Sequence, residues 1–226
     1  MKSTYFQIKD AKLNDTIYEK IKTIGLFTKT SDRIKPINST IIQPTLLYYL
    51  CKKYNVQNFF EIGTGRGTTS LTVSLIPHIK KVITLDILPF DKKRNTYVNF
   101  KPEFVSNKDL YDQISYPEKE KIIYLNNTSF TLDLNKYKNQ FDLVFIDANH
   151  KIDKYIEKDF EVAEELINEN GIIVMDDYGP NWATTRVIDN LLKIRKDLKF
   201  TLIQTMKKKN HGHVLIEKFN ITQTRI

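Results

Sequence analysis

An apolar run, Phe59-Phe60-Glu61-Ile62, passes without interruption into Gly63-Thr64-Gly65-Arg66-Gly67 and then into Thr68-Thr69-Ser70-Leu71. No other stretch restricts the fold as tightly. Glycine at three alternate positions opens backbone conformations that side chains forbid. A strand that turns this abruptly into a helix begins a βαβ unit, and such units build parallel sheets. From Gln57 onward the chain keeps alternating β-rich runs with longer, often amphipathic stretches. Strands are predicted at residues 58–62, 81–86, 121–125, 141–147, 171–176, 199–205 and 213–218.

Helical spacing of Ile156, Phe160, Ala163 and Ile167, with acids and lysines opposite, predicts a helix between the fourth and fifth strands. Asn170-Gly171 is expected to cap it. Val187, Leu191 and Ile194 predict another before the sixth strand. The last two strands are joined by residues 207–212, too few for a crossover helix, so they must pair antiparallel. The fold class is therefore α/β: a Rossmann-like, seven-stranded, mostly parallel sheet with an antiparallel last strand and helices on both faces. One domain is expected over residues 1–226, with 1–56 a helical extension, 57–218 the core and 89–120 an irregular insert. Helices are predicted at 13–24 and 44–54 in the extension. The insert holds Pro89, Pro102 and Pro117 among charges and aromatics in no clean period.

A chain of 226 residues with 41% hydrophobic content can bury a substantial core. It has no apolar run of membrane-spanning length and no secretory signal, so a cytoplasmic protein without membrane partners is expected. Cys51, the one cysteine, lies in the apolar stretch Leu46-Leu47-Tyr48-Tyr49-Leu50-Cys51; this excludes an internal disulfide and a thiolate metal cluster. The net charge of +8 is spread along the chain, with Lys207-Lys208-Lys209 its tightest cluster, which argues against a nucleic-acid partner. The sequence is compatible with a homodimer.

Asp86 ends the strand after the glycine loop, where a carboxylate can accept both ribose hydroxyl protons of a bound nucleoside. Spacing then separates two cofactor classes. A dinucleotide fingerprint places glycine at the first, third and sixth positions, and here the sixth is Thr68. The acid, one residue, then glycine at three alternate positions resembles motif I of the class I S-adenosylmethionine-dependent methyltransferases, whose sheet also closes with an antiparallel strand. The resemblance covers roughly residues 41–218. Phe141-Asp142-Leu143-Val144-Phe145-Ile146-Asp147-Ala148-Asn149-His150 and Gly171-Ile172-Ile173-Val174-Met175-Asp176-Asp177-Tyr178-Gly179 look like the catechol O-methyltransferase-like branch. They look closer still to its relatives in sugar and natural-product modification, which commonly methylate hydroxyl groups.

The resemblance implies S-adenosylmethionine as cofactor. Glu61, Gly63, Thr64, Gly65, Gly67 and Thr68 would form its loop, with Asp86 on the ribose, Thr128 and Ser129 beside the adenine, and Asp147 a further contact. The family often carries an acid where Thr128 stands.

Asp147 at the end of the fourth strand, with Asp176 and Asp177 at the end of the fifth, gather three carboxylates at the carboxyl edge of the sheet. Such a group repels itself unless protons or a hard cation intervene, and Mg²⁺ or Ca²⁺ would suit oxygen ligands. Resembling metal-dependent enzymes use two aspartates and an asparagine, and Asp177 occupies the asparagine position. His150 lies three residues past Asp147, where the resembling family places its general base, so Asp147 and His150 are the catalytic candidates. His78, His211 and His213 have no comparable setting, and His211-Gly212-His213 is read as hairpin turn. Tyr178 and Trp182 are candidates for lining the site of a small hydroxylated acceptor. The competing readings are a nicotinamide oxidoreductase, a nucleic-acid-directed methyltransferase and a non-catalytic binding module.

Overall fold

The computed structural model describes residues 1–28, 37–99, 101–149, 151–205 and 212–218. In chain order the elements are β1 (Lys2–Tyr5), α1 (Asp15–Ile24), β2 (Phe27–Thr28), α2 (Ile37–Lys53), β3 (Asn58–Ile62), α3 (Thr68–Ser74), β4 (Lys81–Asp86), β5 (Arg94–Val98), β6 (Lys101–Val105), α4 (Asn107–Asp112), β7 (Ile122–Asn126), β8 (Phe141–Ile146), α5 (Asp153–Leu166), β9 (Ile167–Tyr178), α6 (Ala183–Ile194), β10 (Leu198–Gln204) and β11 (Gly212–Lys218). The seven expected strands form as β3, β4, β7, β8, β9, β10 and β11, each within a few residues of its predicted bounds except β9, which begins earlier. The chain divides into two compact units, Phe6–Leu132 and Met1–Tyr5 with Asp133–Ile226.

In the unit Phe6–Leu132, β3, β4 and β7 run parallel, with Phe60 opposite Ile83 and Ile83 opposite Ile123. Phe59 and Phe60 are fully buried, as are Leu46, Leu47 and Cys51 of α2. Truncating either phenylalanine to alanine would cost about 3–5 kcal/mol. Helix α1 starts where Asn14 accepts a hydrogen bond from the Ile17 amide at 2.9 Å. Helix α2 begins at Ile37 and runs through Pro44, where the sequence predicts a start. The expected irregular insert is instead an antiparallel hairpin of β5 and β6, with β2 added to its edge and α4 following. Its strands are short, β6 is largely exposed and β5 buries only Thr96, so no apolar stripe writes a period of two into the sequence.

In the other unit the strand order is β1-β10-β11-β9-β8. Strand β8 pairs parallel with β9, while β11 pairs antiparallel with both β9 and β10. The expected antiparallel last strand is thus formed. Phe141, Phe145, Val174, Met175 and Val214 lie in the core, and α5 buries Ile156, Phe160 and Ala163 as its spacing predicts. Two expectations are corrected. Residues 2–5, expected to be part of a helical extension, form β1 parallel to β10, an edge strand with every residue exposed and hence no apolar signature. Helix α5 ends at Leu166, and Asn168–Gly171 break the register between β8 and β9 rather than capping it. Among the described residues no helix is long and apolar enough to cross a membrane.

Candidate functional site

The glycine loop leaves β3 with Gly63, Gly65 and Gly67 all at positive φ, the conformations that exclude most side chains. Gly67 is also a point of close approach: a Cβ there would lie 2.3 Å from the Tyr111 ring. The loop is braced from within. Glu61 is buried, and its Oε2 accepts hydrogen bonds from Ser70 Oγ at 2.5 Å and Thr84 Oγ1 at 2.6 Å, while Thr64 and Thr84 join their hydroxyls at 2.6 Å. The carboxylate therefore ties β3, β4 and α3 together. Asp86 turns towards the loop, its Oδ2 accepting from the Gly65 amide at 3.3 Å and its Oδ1 from Leu88 at 3.0 Å. Thr128 and Ser129 follow β7 in a tight turn, with the hydroxyls of Thr128 and Thr131 2.8 Å apart and Ser129 buried. Thr68 opens α3.

The hairpin contributes residues that the sequence did not single out. Arg94 of β5 donates to the Gly65 carbonyl and, at 2.7 Å, to Asn107 Oδ1. Arg66 donates from Nε to Thr96 Oγ1 at 2.8 Å. Burial, and then the neighbouring charge of Arg94, pull the Arg66 guanidinium down to about 10. Tyr111 of α4 is buried beneath Gly67, and burial pushes its hydroxyl well above the usual phenol value. The hairpin and α4 thus clasp the loop's backbone.

The acidic half is built by a bulge. In a regular strand Asp176 and Asp177 would point to opposite faces. Across from them, however, Gly212 pairs with Tyr178 and Val214 with Met175, so both aspartates oppose the single residue His213. Asp177 carries the bulge in a left-handed conformation, φ 55°, which aspartate tolerates better than most residues. Both carboxylates consequently join that of Asp147, just past β8, with one oxygen from each of the three within 4.8 Å of the others. Asp147 and Asp176 also line a small hollow with Ile146, Asn149, Met175 and Thr184. An all-oxygen donor set of this spread fits a hard divalent cation.

His213 is the residue that sequence reasoning set aside. It belongs to β11, not to a turn, and is 4% exposed. Its Nε2 lies 3.0 Å from Asp176 Oδ1, at ion-pair distance but off the line of a hydrogen bond. Burial alone favours the neutral ring, yet the charges of Asp176, Asp147 and Asp177 outweigh it and raise the imidazole above the ordinary histidine value. Only the hairpin register, which a sequence does not print, could have revealed this neighbour. The hydroxyl of Tyr178 donates to Asp189 of α6 at 3.0 Å and is pushed up to about 12, chiefly by burial. Trp182 precedes α6 as its N-cap. His150 and His211 lie outside the described residues.

Residues 60–178, just over half of the chain, match a family model described as a methyltransferase domain. A search of curated protein sequences found no match. Among solved structures the fold is similar to the cofactor-bound protein Rv0187 from MTB, with 18% identity over 93% of this chain and 94% of that one and a TM-score of 0.60. It is similar also to the O-methyltransferase TomG from Streptomyces achromogenes in complex with SAM, with 17% identity over 91% and 90% and a TM-score of 0.57. An O-methyltransferase from Bacillus cereus in complex with SAH gives 17% identity over 90% of each chain, again with a TM-score of 0.57. At these identities the likeness establishes the Rossmann-like fold.

Proposed function

Because the chain belongs to the methyltransferase-domain family, we propose that it transfers a methyl group from S-adenosylmethionine to a hydroxyl of a small molecule, a sugar or secondary metabolite, with help from a divalent cation. One observation carries the cofactor assignment: the Asp86 carboxylate is drawn against the Gly65 amide at the loop's turn, 3.3 Å away, and a carboxylate at this strand end would accept from the hydroxyls of a ribose. Gly63, Thr64 and Gly65 would line the methionine end, Glu61 would hold them from behind, and Thr128 and Ser129 would flank the adenine. The hydroxyl reading is supported by the acid cluster, and by solved O-methyltransferases of the same fold.

In the reaction the acceptor oxygen attacks the methyl carbon while the carbon–sulfur bond breaks, its electron pair returning to sulfur. The products are a methyl ether and S-adenosylhomocysteine, and the hydroxyl proton goes to a base. His150, three residues after Asp147, is the base we assign. Asp147, Asp176 and Asp177 would hold Mg²⁺ or Ca²⁺, which when bound supplies a positive charge that favours the deprotonated acceptor oxygen.

Calorimetric titration with S-adenosylhomocysteine tests the cofactor half. Binding is expected, weakened about tenfold or more in Asp86→Ala, since a charged hydrogen-bond partner is worth about 1.5–3 kcal/mol. Heat from NADH, with none from S-adenosylhomocysteine, would replace this reading by an oxidoreductase.

A further inference from the structure

His213 sits where the bulge of β9 turns two aspartates towards one residue of β11. Its side chain is nine-tenths buried, and its ring is stacked at 29° to that of Phe145 with centroids 6.4 Å apart. Neither ring nitrogen makes an aligned hydrogen bond, and Nε2 is directed to the acid cluster, 3.0 Å from Asp176 Oδ1. Among the described residues Nδ1 has no ion-pair partner either, and a buried polar atom left unsatisfied costs about 1–3 kcal/mol. Beside Phe145, and between Gly212 and the buried Val214, a leucine or phenylalanine would fill the same space without that penalty. Packing alone therefore does not account for an imidazole at this position.

We infer that His213 is a positioning residue for the acid cluster: it holds Oδ1 of Asp176, so that the other oxygen of that carboxylate is presented to the cation together with Asp147 and Asp177. The inference rests on the proposed cation site. Outer partners of this kind fix the orientation of a ligating carboxylate, and their loss typically weakens metal affinity by about 10–100-fold. A buried ring beside Phe145 suits that task because the core around it limits how far it can follow Asp176.

The test uses Mn²⁺ alone, added to the full chain without cofactor or acceptor and followed by the loss of the free-ion electron paramagnetic resonance signal. Thermal unfolding without metal is measured beside it. For His213→Leu, a melting temperature equal to or above that of the unaltered protein is expected, with Mn²⁺ affinity lowered about tenfold or more. For His213→Gln, whose side-chain amide nitrogen can take the place of Nε2, most of the affinity is expected to return. If the unaltered chain binds Mn²⁺ and His213→Leu binds it equally well, the inference fails while the cation site stands. If the unaltered chain binds none, the cation site itself fails and the inference falls with it. Should His213→Leu not fold, His213→Gln decides: a folded His213→Gln with affinity lost overturns the positioning role.

Discussion

Asp177 is the residue at which backbone and chemistry make opposite demands. Its left-handed conformation is one that glycine adopts freely and an L side chain adopts at a cost of about 1–2 kcal/mol. The carboxylate that justifies the cost joins those of Asp147 and Asp176. Stability and cation binding should therefore separate on substitution. Asp177→Gly is expected to unfold at a higher temperature, by an amount corresponding to about 1 kcal/mol, while its Mn²⁺ affinity falls about tenfold or more. Asp177→Ala should lose both. A glycine variant that kept its Mn²⁺ affinity would remove Asp177 from the ligand set, and one that lost stability would show that the carboxylate holds the bulge.

At the scale of elements, the hairpin of β5 and β6 is tied to the glycine loop through Arg94, whose guanidinium reaches both the Gly65 carbonyl and Asn107. Holding that carbonyl fixes the plane of the peptide that follows Gly65, and the Gly65 amide faces Asp86. Arg94→Met, which keeps the aliphatic stem but not the donors, is expected to bind S-adenosylhomocysteine about tenfold more weakly with little change in melting temperature, the loss of a charge-assisted hydrogen bond. Unchanged binding in calorimetry would reduce the hairpin to a surface excursion. This hairpin also marks where sequence reading stopped. Strands β3, β4, β8 and β9 are legible because burial fills them with apolar residues, and α5 because one face is buried. Strands β1 and β6 expose most of their residues, and β5 buries only Thr96, so none carries such a record. The three aspartates and Asp86 were legible from their places at strand ends. His213, Arg94 and Tyr111 were not, because what brings each to its partner is strand register or a loop's path, and neither leaves a periodic trace.

For the whole molecule, the two compact units divide the proposed chemistry. The glycine loop, Asp86, Thr128 and Ser129 belong to Phe6–Leu132, whereas Asp147, Asp176, Asp177 and His213 belong to the unit completed by Asp133–Ile226. Each ligand should therefore leave its own pattern of protection in native-state hydrogen exchange. A ligand held at about 100 times its dissociation constant stabilises the state that binds it by about 2.7 kcal/mol, which slows exchange through opening of that state by about a hundredfold. Mn²⁺ alone is expected to protect the end of β8, the bulge of β9 and the start of β11, and to leave β3 and the glycine loop unchanged. S-adenosylhomocysteine is expected to protect β3, the glycine loop, the end of β4 and the turn after β7. Protection of the glycine loop by Mn²⁺ alone would contradict this division of labour. So would an S-adenosylhomocysteine footprint that omitted the loop, because the backbone amide at Gly65 and the carboxylate of Asp86 are the groups on which the cofactor assignment depends.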